Sequence, residues 1–161
     1  MANYTGANVI VATDVTKYQP DAFGFGVSST STETANFFLQ TTNDIIRQLR
    51  TEWWPVYKTN VYTDITVLNT VELVNTKINL DQFERAGVYL FLGRFFCPAL
   101  SKFRPETEKD RFERMSEKYM SEYNKEFRMI LEDGVEYDSD TSATISVGER
   151  EPLHGVRRLV R

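Results

Sequence analysis

The chain holds one cysteine and one histidine in 161 residues. A lone Cys97 cannot close an internal disulfide, which fits a reducing compartment. A lone His154 is too few imidazoles for a histidine-built metal cluster or a catalytic triad, and no serine or cysteine nucleophile sits near it in sequence. Phosphate-binding loops and dinucleotide fingerprints are also missing. These gaps argue against an enzyme and against a cofactor. No apolar run approaches the roughly 20 residues of a membrane helix; the one near Val88 to Leu92 is far shorter. The opening "MANYTGANVIVATD" lacks the basic leading region of a signal peptide, so a soluble chain made in cytoplasm is expected.

What is present is one domain's worth of chain with 41% hydrophobic and 13% aromatic residues, enough for a real core. The net charge of −4 hides an asymmetry: residues 150–161 carry +3, and the other 149 residues carry −7 from 15 basic and 22 acidic side chains. An acidic body argues against general phosphate-backbone binding, which draws on clustered Lys and Arg. A short basic tail suits an acidic groove on a partner.

Along the chain, residues 1–30 mix short apolar pieces with turn formers. An extended N-terminal segment is expected there, lying on the body or on a neighbour through Val9, Val11, Tyr18, Phe23 and Phe25. Thr30 and Glu33 have capping-box spacing. From Ala35 the stripe Phe38, Leu39, Thr42, Ile45, Ile46, Leu49, Trp53 predicts a helix that Pro55 stops. Residues 56–80 are rich in Val, Ile and Thr with imperfect alternation, which allows either a short hairpin or an irregular crossover.

A second helix is capped by Asn79, with Gln82 at the box position and Ile78 and Phe83 at staple spacing. It is apolar on most sides and runs to Pro98, and its Gly87 and Gly93 read as places where a neighbouring helix comes close. A third, long helix starts near Pro105 and stops at Gly134, with Phe112, Met115, Tyr119, Tyr123, Phe127 and Ile130 as its core stripe. Its charges, with Asp110–Arg114 and Lys118–Glu122 at i, i+4, read as a solvated face. The fold class is therefore mainly α. It is a small helical bundle of three to four helices over residues 31–134, with a short β-turn and strand element. Residues 135–161 form the turn, the strand and an extended C-terminal arm.

The loop "DSDTSATISVGE", residues 138–149, has oxygen side chains at the spacing of a calcium loop, with Asp138, Asp140 and Glu149 as the metal candidates. Ala143 stands where that loop's sharp turn demands Gly, and Pro152 removes the exit helix. No metal is expected, and a polar turn leading into a strand "ATISV" is the reading. In "EWWPVY" two adjacent Trp cannot both face one core, so Trp53, Trp54 and Tyr57, together with Phe23 and Phe25, are candidates for subunit contact; the alternative is that the Trp pair closes the bundle's end.

Three stretches together resemble the head–tail adaptor (connector, or head-completion) proteins of tailed bacteriophages. They are "TTNDIIRQLRTEWWPVY", "LDQFERAGVYLFLGRFFCPALSK" and the long run from "YMSEYNKEFRMILEDGVEYDSD" to "RRLVR". The order and spacing carry the likeness, which covers most of residues 40–161. The resemblance implies a structural virion protein of the phage neck, found in the host cytoplasm during assembly. It would form a ring of twelve copies under the portal, meet a downstream neck, stopper or tail protein, and let genomic DNA pass without sequence-specific binding. It implies no membrane partner. It also implies that Arg150, Leu153, Val156, Arg157, Arg158, Leu159, Val160 and Arg161 form an arm that docks on the portal. The rival readings are a calcium- or partner-binding helical module, and a small regulatory protein with a basic tail.

Overall fold

The structure, a computed structural model, describes residues 8–25, 27–101, 111–142, 144–146 and 149–151, the last residue as backbone only. The chain is mainly helical, in keeping with a small helical bundle. It divides into two compact units, whose described residues are 8–43 with 83–127, and 44–82 with 128–151.

In the first of these, the N-terminal stretch is not extended throughout. Helix α1 spans Ala12–Tyr18 because Asp14 accepts a hydrogen bond from the Val11 N–H at 2.9 Å, filling one of the free donors of the first turn. Ile10, Val15 and Ala22 are the buried anchors, along with Val9, whereas Val11 and Tyr18 are exposed. A tight 3-10 turn follows at Ala22–Phe25.

Helix α2, Thr32–Glu52, is capped one residue later than Thr30 predicts: the Thr34 N–H donates to Ser31 Oγ at 3.1 Å. Its stripe is also more polar than the apolar count implies. Leu39 is exposed, while Thr34, Thr41 and Thr42 are buried. Each buried hydroxyl is satisfied: Thr41 donates to Phe37 O, Thr42 donates to Phe38 O and accepts from Val9 N, and Thr34 donates to Ser28 O.

Helix α5, Glu84–Phe91, does not end at Pro98. It widens into one π-helical turn at Leu92–Phe96 and continues as α6, Cys97–Leu100. Proline lacks an N–H and its ring collides with the carbonyl four residues back, so the turn before it opens rather than stopping.

Gly93 lies in that turn, and a Cβ there would sit 3.0 Å from Met120 Cγ and Sδ and 3.1 Å from Met120 N. Met120 belongs to helix α7, Arg111–Asp133, and Ser116 of the same helix donates to Gly93 O at 2.6 Å. The close approach expected at this glycine is real. The expected start of α7 at Pro105, and Asp110 of the expected Asp110–Arg114 pair, lie outside the described residues. Further along α7, Glu122 makes its close ion pair with Lys125 at 2.8 Å, and Lys118 acts on it only through a longer-range charge interaction.

In the second unit, α2 ends at Glu52 and α3, Trp54–Val61, begins with Pro55 in its first turn. The β-leaning stretch after it is no hairpin. It forms the short helix α4, Ile65–Thr70, nucleated by Asp64, whose carboxylate accepts from Thr66 N at 2.8 Å. Lys58 Nζ holds the Leu68 carbonyl at 3.1 Å. The strand propensity of Val, Ile and Thr is overridden because, among the described residues, no partner strand pairs with residues 56–77; a β-bridge nearby joins Ile78 to Tyr137. Asn79 does cap, accepting from Asp81 N at 3.2 Å, but Gln82 turns away to accept from Glu136 N at 2.7 Å. Helix α7 stops at Gly134, which adopts a left-handed φ of 103°. Strand β1, Val135–Glu136, then pairs antiparallel with β2, Arg150–Glu151. The predicted strand at "ATISV" is not formed among its described residues, and the strand lies at 150–151 instead.

Candidate functional site

The loop between β1 and β2 is built on its own backbone. Tyr137 N donates to Glu149 O at 3.2 Å and Asp138 N to Lys77 O at 2.9 Å, so the loop's two ends are pinned side by side. Thr141 takes a left-handed φ of 65°, which turns the chain back. Ser142 N then donates to both Asp138 Oδ1 and Asp140 Oδ1, at 3.0 and 2.9 Å. Lys77 Nζ covers Ser139 O at 2.8 Å.

Glu149 closes the loop. One carboxylate oxygen accepts from Ser139 N at 2.7 Å, Ser139 Oγ at 2.9 Å and Asp140 N at 3.3 Å. The other accepts from Ser146 N at 2.9 Å and Ser146 Oγ at 3.0 Å. The Ser146 backbone N–H leads the donors that pull the Glu149 carboxyl down to about 2, although the side chain is buried.

Carboxylate oxygens of Asp138, Asp140 and Glu149 lie within 4.8 Å of one another, so the calcium-loop spacing does bring its first, third and twelfth positions together. The donor set does not fit a cation. Three backbone N–H groups converge on Glu149, and their positive ends face the place a metal would need. The loop satisfies its own carboxylate and needs no ion to close.

Of the expected arm, only Arg150 is described, and it does not reach out. Its guanidinium pairs with Glu136 across the β1–β2 ladder. An arm of the kind expected would therefore begin after Glu151. Leu153, Val156, Arg157, Arg158, Leu159, Val160 and Arg161 lie outside the described residues, as does His154.

The expected subunit contact at the Trp pair is corrected. Trp53, Trp54 and Tyr57 are 1%, 4% and 2% exposed within this chain alone. Their rings surround Tyr137, with centroid distances of 5.8, 5.4 and 5.3 Å. Burial pushes the Tyr57 hydroxyl up to about 12. The kink at Trp53 turns both indoles toward one cluster, and Tyr137, distant in sequence, supplies the partner that the local pattern could not show. Phe23 is partly buried and packs edge-on against Phe96; Phe25 remains 43% exposed and meets Phe112. Cys97 is buried, and desolvation pushes its thiol up to about 11, which keeps it protonated and unreactive at neutral pH.

Two surfaces were not singled out by pattern. Helix α4 buries no side chain, and Ile65 is 73% exposed. On α7, Arg111, Arg114, Met115 and Lys118 line a cavity of about 480 Å³. The first was hidden in a stretch of strand-like composition, the second in a helix whose charges read as an ordinary solvated face. Comparison with known proteins finds no matching family model, no similar curated protein and no similar solved structure.

Proposed function

We propose that this chain is a structural adaptor of the phage neck. It would join a ring of about twelve copies beneath the portal and link the DNA-filled head to the tail. The reading begins from the order and spacing of the three stretches that resemble head–tail adaptors. The observation that carries it further is the clasped loop. Glu149 and the β1–β2 pair anchor the chain immediately before residue 152. A recognition arm needs such an anchorage, because docking force on the arm must be transmitted to a rigid body rather than lost in a loose hinge.

The sequence beyond the anchor pairs Leu153, Val156, Leu159 and Val160 with Arg157, Arg158 and Arg161. In this reading the aliphatic side chains fill pockets on the portal and the arginines pair with its carboxylates, which sets register and specificity. The ordering entropy of the arm is lost on docking and is offset by the large surface it covers. A head-to-tail ring also needs two unlike faces on each subunit. The exposed apolar side chains of α4 suit one of them.

Electron microscopy of the purified chain mixed with the portal from the same genome tests the proposal. A ring of added density on one face of the portal is expected. A portal unchanged by a large excess of the chain would rule the proposal out.

A further inference from the structure

Among the described residues nine large apolar side chains are exposed, and four of them, Val61, Ile65, Val67 and Val74, fall within one short stretch around α4. Ile65 is 73% exposed, and α4 buries none of its side chains. Apolar surface concentrated in one segment marks a place that something covers. The same unit holds most of the chain's acidity. Residues 44–82 and 128–151 carry twelve acidic and six basic side chains, against eight and seven among the described residues of the other unit. A fitting occupant therefore brings aliphatic side chains and positive charge together.

Residues 152–161 have that composition: Leu153, Val156, Leu159 and Val160 with Arg157, Arg158 and Arg161, and no acidic side chain. They also begin in a suitable place. Tyr137 N donates to Glu149 O at 3.2 Å, and the Val74 backbone hydrogen-bonds the Tyr137 hydroxyl, so one residue ties the end of the described chain to the segment that follows α4. From Glu151 through Tyr137 to Val74 this path is at most about 25 Å, and ten residues reach roughly 33 Å. We propose that in the free protein residues 152–161 fold back on α4 of their own chain. The aliphatic side chains cover Ile65 and its apolar neighbours, and the arginines lie against the acidic unit. So short a tether gives the segment an effective concentration in the millimolar range, and a weak contact suffices. The link to the portal rests on the adaptor reading: the same aliphatic side chains cannot fill portal pockets and cover α4 at once, so the portal must draw the segment away. The contact with α4 does not itself depend on that reading.

Hydrogen exchange of the full chain against a chain ending at Glu151, without portal, tests the contact. A segment docked about nine-tenths of the time slows exchange about tenfold where it lies. Truncation should therefore speed exchange by about that factor in peptides spanning 61–74, at every protein concentration, and leave peptides spanning 38–49 unchanged. Arg157→Gln, Arg158→Gln and Arg161→Gln together should remove part of the protection from the full chain, the part that rising salt also removes from the parent. Ile65→Ser should shrink the effect of truncation. Equal exchange in the full and truncated chains overturns the proposal. Protection that grows with protein concentration overturns it too, in favour of a second copy as the occupant. Portal binding is read on the same samples, and Ile65→Ser should bind more tightly than the parent because less of the segment is held back. A portal that binds no variant removes the adaptor reading and leaves the exchange result standing. Equal exchange with normal portal binding removes this inference alone.

Discussion

Glu149 accepts a hydrogen bond from the backbone N–H of Ser139 at 2.7 Å, tying together the two ends of the loop between β1 and β2. Four further donors reach the same carboxylate, from Ser139 Oγ, Asp140 N, Ser146 N and Ser146 Oγ. The charge on Glu149 is therefore a structural element, since only the ionised form accepts from every one of them.

A pH dependence follows. The Glu149 carboxyl is lowered from its ordinary 4.5 to about 2 in the folded chain. A depressed carboxyl contributes stability that is fully present above the unfolded value and is lost as pH falls through the folded one. Urea midpoints measured from pH 5 to pH 2 should fall more steeply for the parent than for Glu149→Gln. Parallel curves would show that the clasp is not held by charge. At neutral pH Glu149→Ala should cost about 2–4 kcal/mol, on the scale of one or two hydrogen bonds to a charged group with their donors left unpaired.

Gly93→Ala should destabilise the chain by about 1–3 kcal/mol, as overpacking does. The added Cβ meets Met120 Cγ and Sδ at 3.0 Å, which can shift, but also Met120 N at 3.1 Å, which cannot without moving α7. Thermal or urea unfolding of Gly93→Ala, Met120→Ala and the double variant measures this. A partial rescue in the double variant is expected, because only the side-chain part of the collision is relieved. Full rescue would show that the backbone contact is not limiting.

Trp54→Ala should lower stability by about 3–5 kcal/mol, the usual cost of removing a buried aromatic side chain. The indole is 4% exposed and stacks on Tyr57 at 5.3 Å. Had Trp54 served a subunit contact, the same change would leave the isolated chain's unfolding curve nearly unmoved. Urea denaturation followed by circular dichroism distinguishes the two.

The Cys97 thiol should react with a disulfide reagent only on unfolding. It is 1% exposed, and burial lifts its ionisation to about 11. Reaction at neutral pH should be slow in buffer and fast in denaturant; fast reaction in buffer would contradict the packing of α6.

The helices were legible because their signals are local. Pro55, Gly134 and the spacing from Phe38 to Leu49 act within a turn or two of themselves. Three features were not legible, each for a definite reason. The π-turn before Pro98 arises because a proline near a buried helix end can be absorbed by widening, which spacing alone does not reveal. Tyr137 closes the Trp cluster from the position just after β1, some eighty residues further on. Helix α4 forms in a stretch of strand-like composition because Asp64 caps it and, among the described residues, no strand pairs with it. At the candidate site the odd-numbered oxygens of residues 138–149 correctly marked a tight loop. They could not show that Glu149 would be filled by amide donors, since those donors come from its own backbone.

The most direct test of the adaptor account is the affinity of the portal for the full chain against a chain ending at Glu151, measured by surface plasmon resonance with helical content checked by circular dichroism. The account predicts that removing residues 152–161 abolishes portal binding while the helical spectrum is unchanged. A truncated chain that still bound the portal with the parent affinity would contradict it.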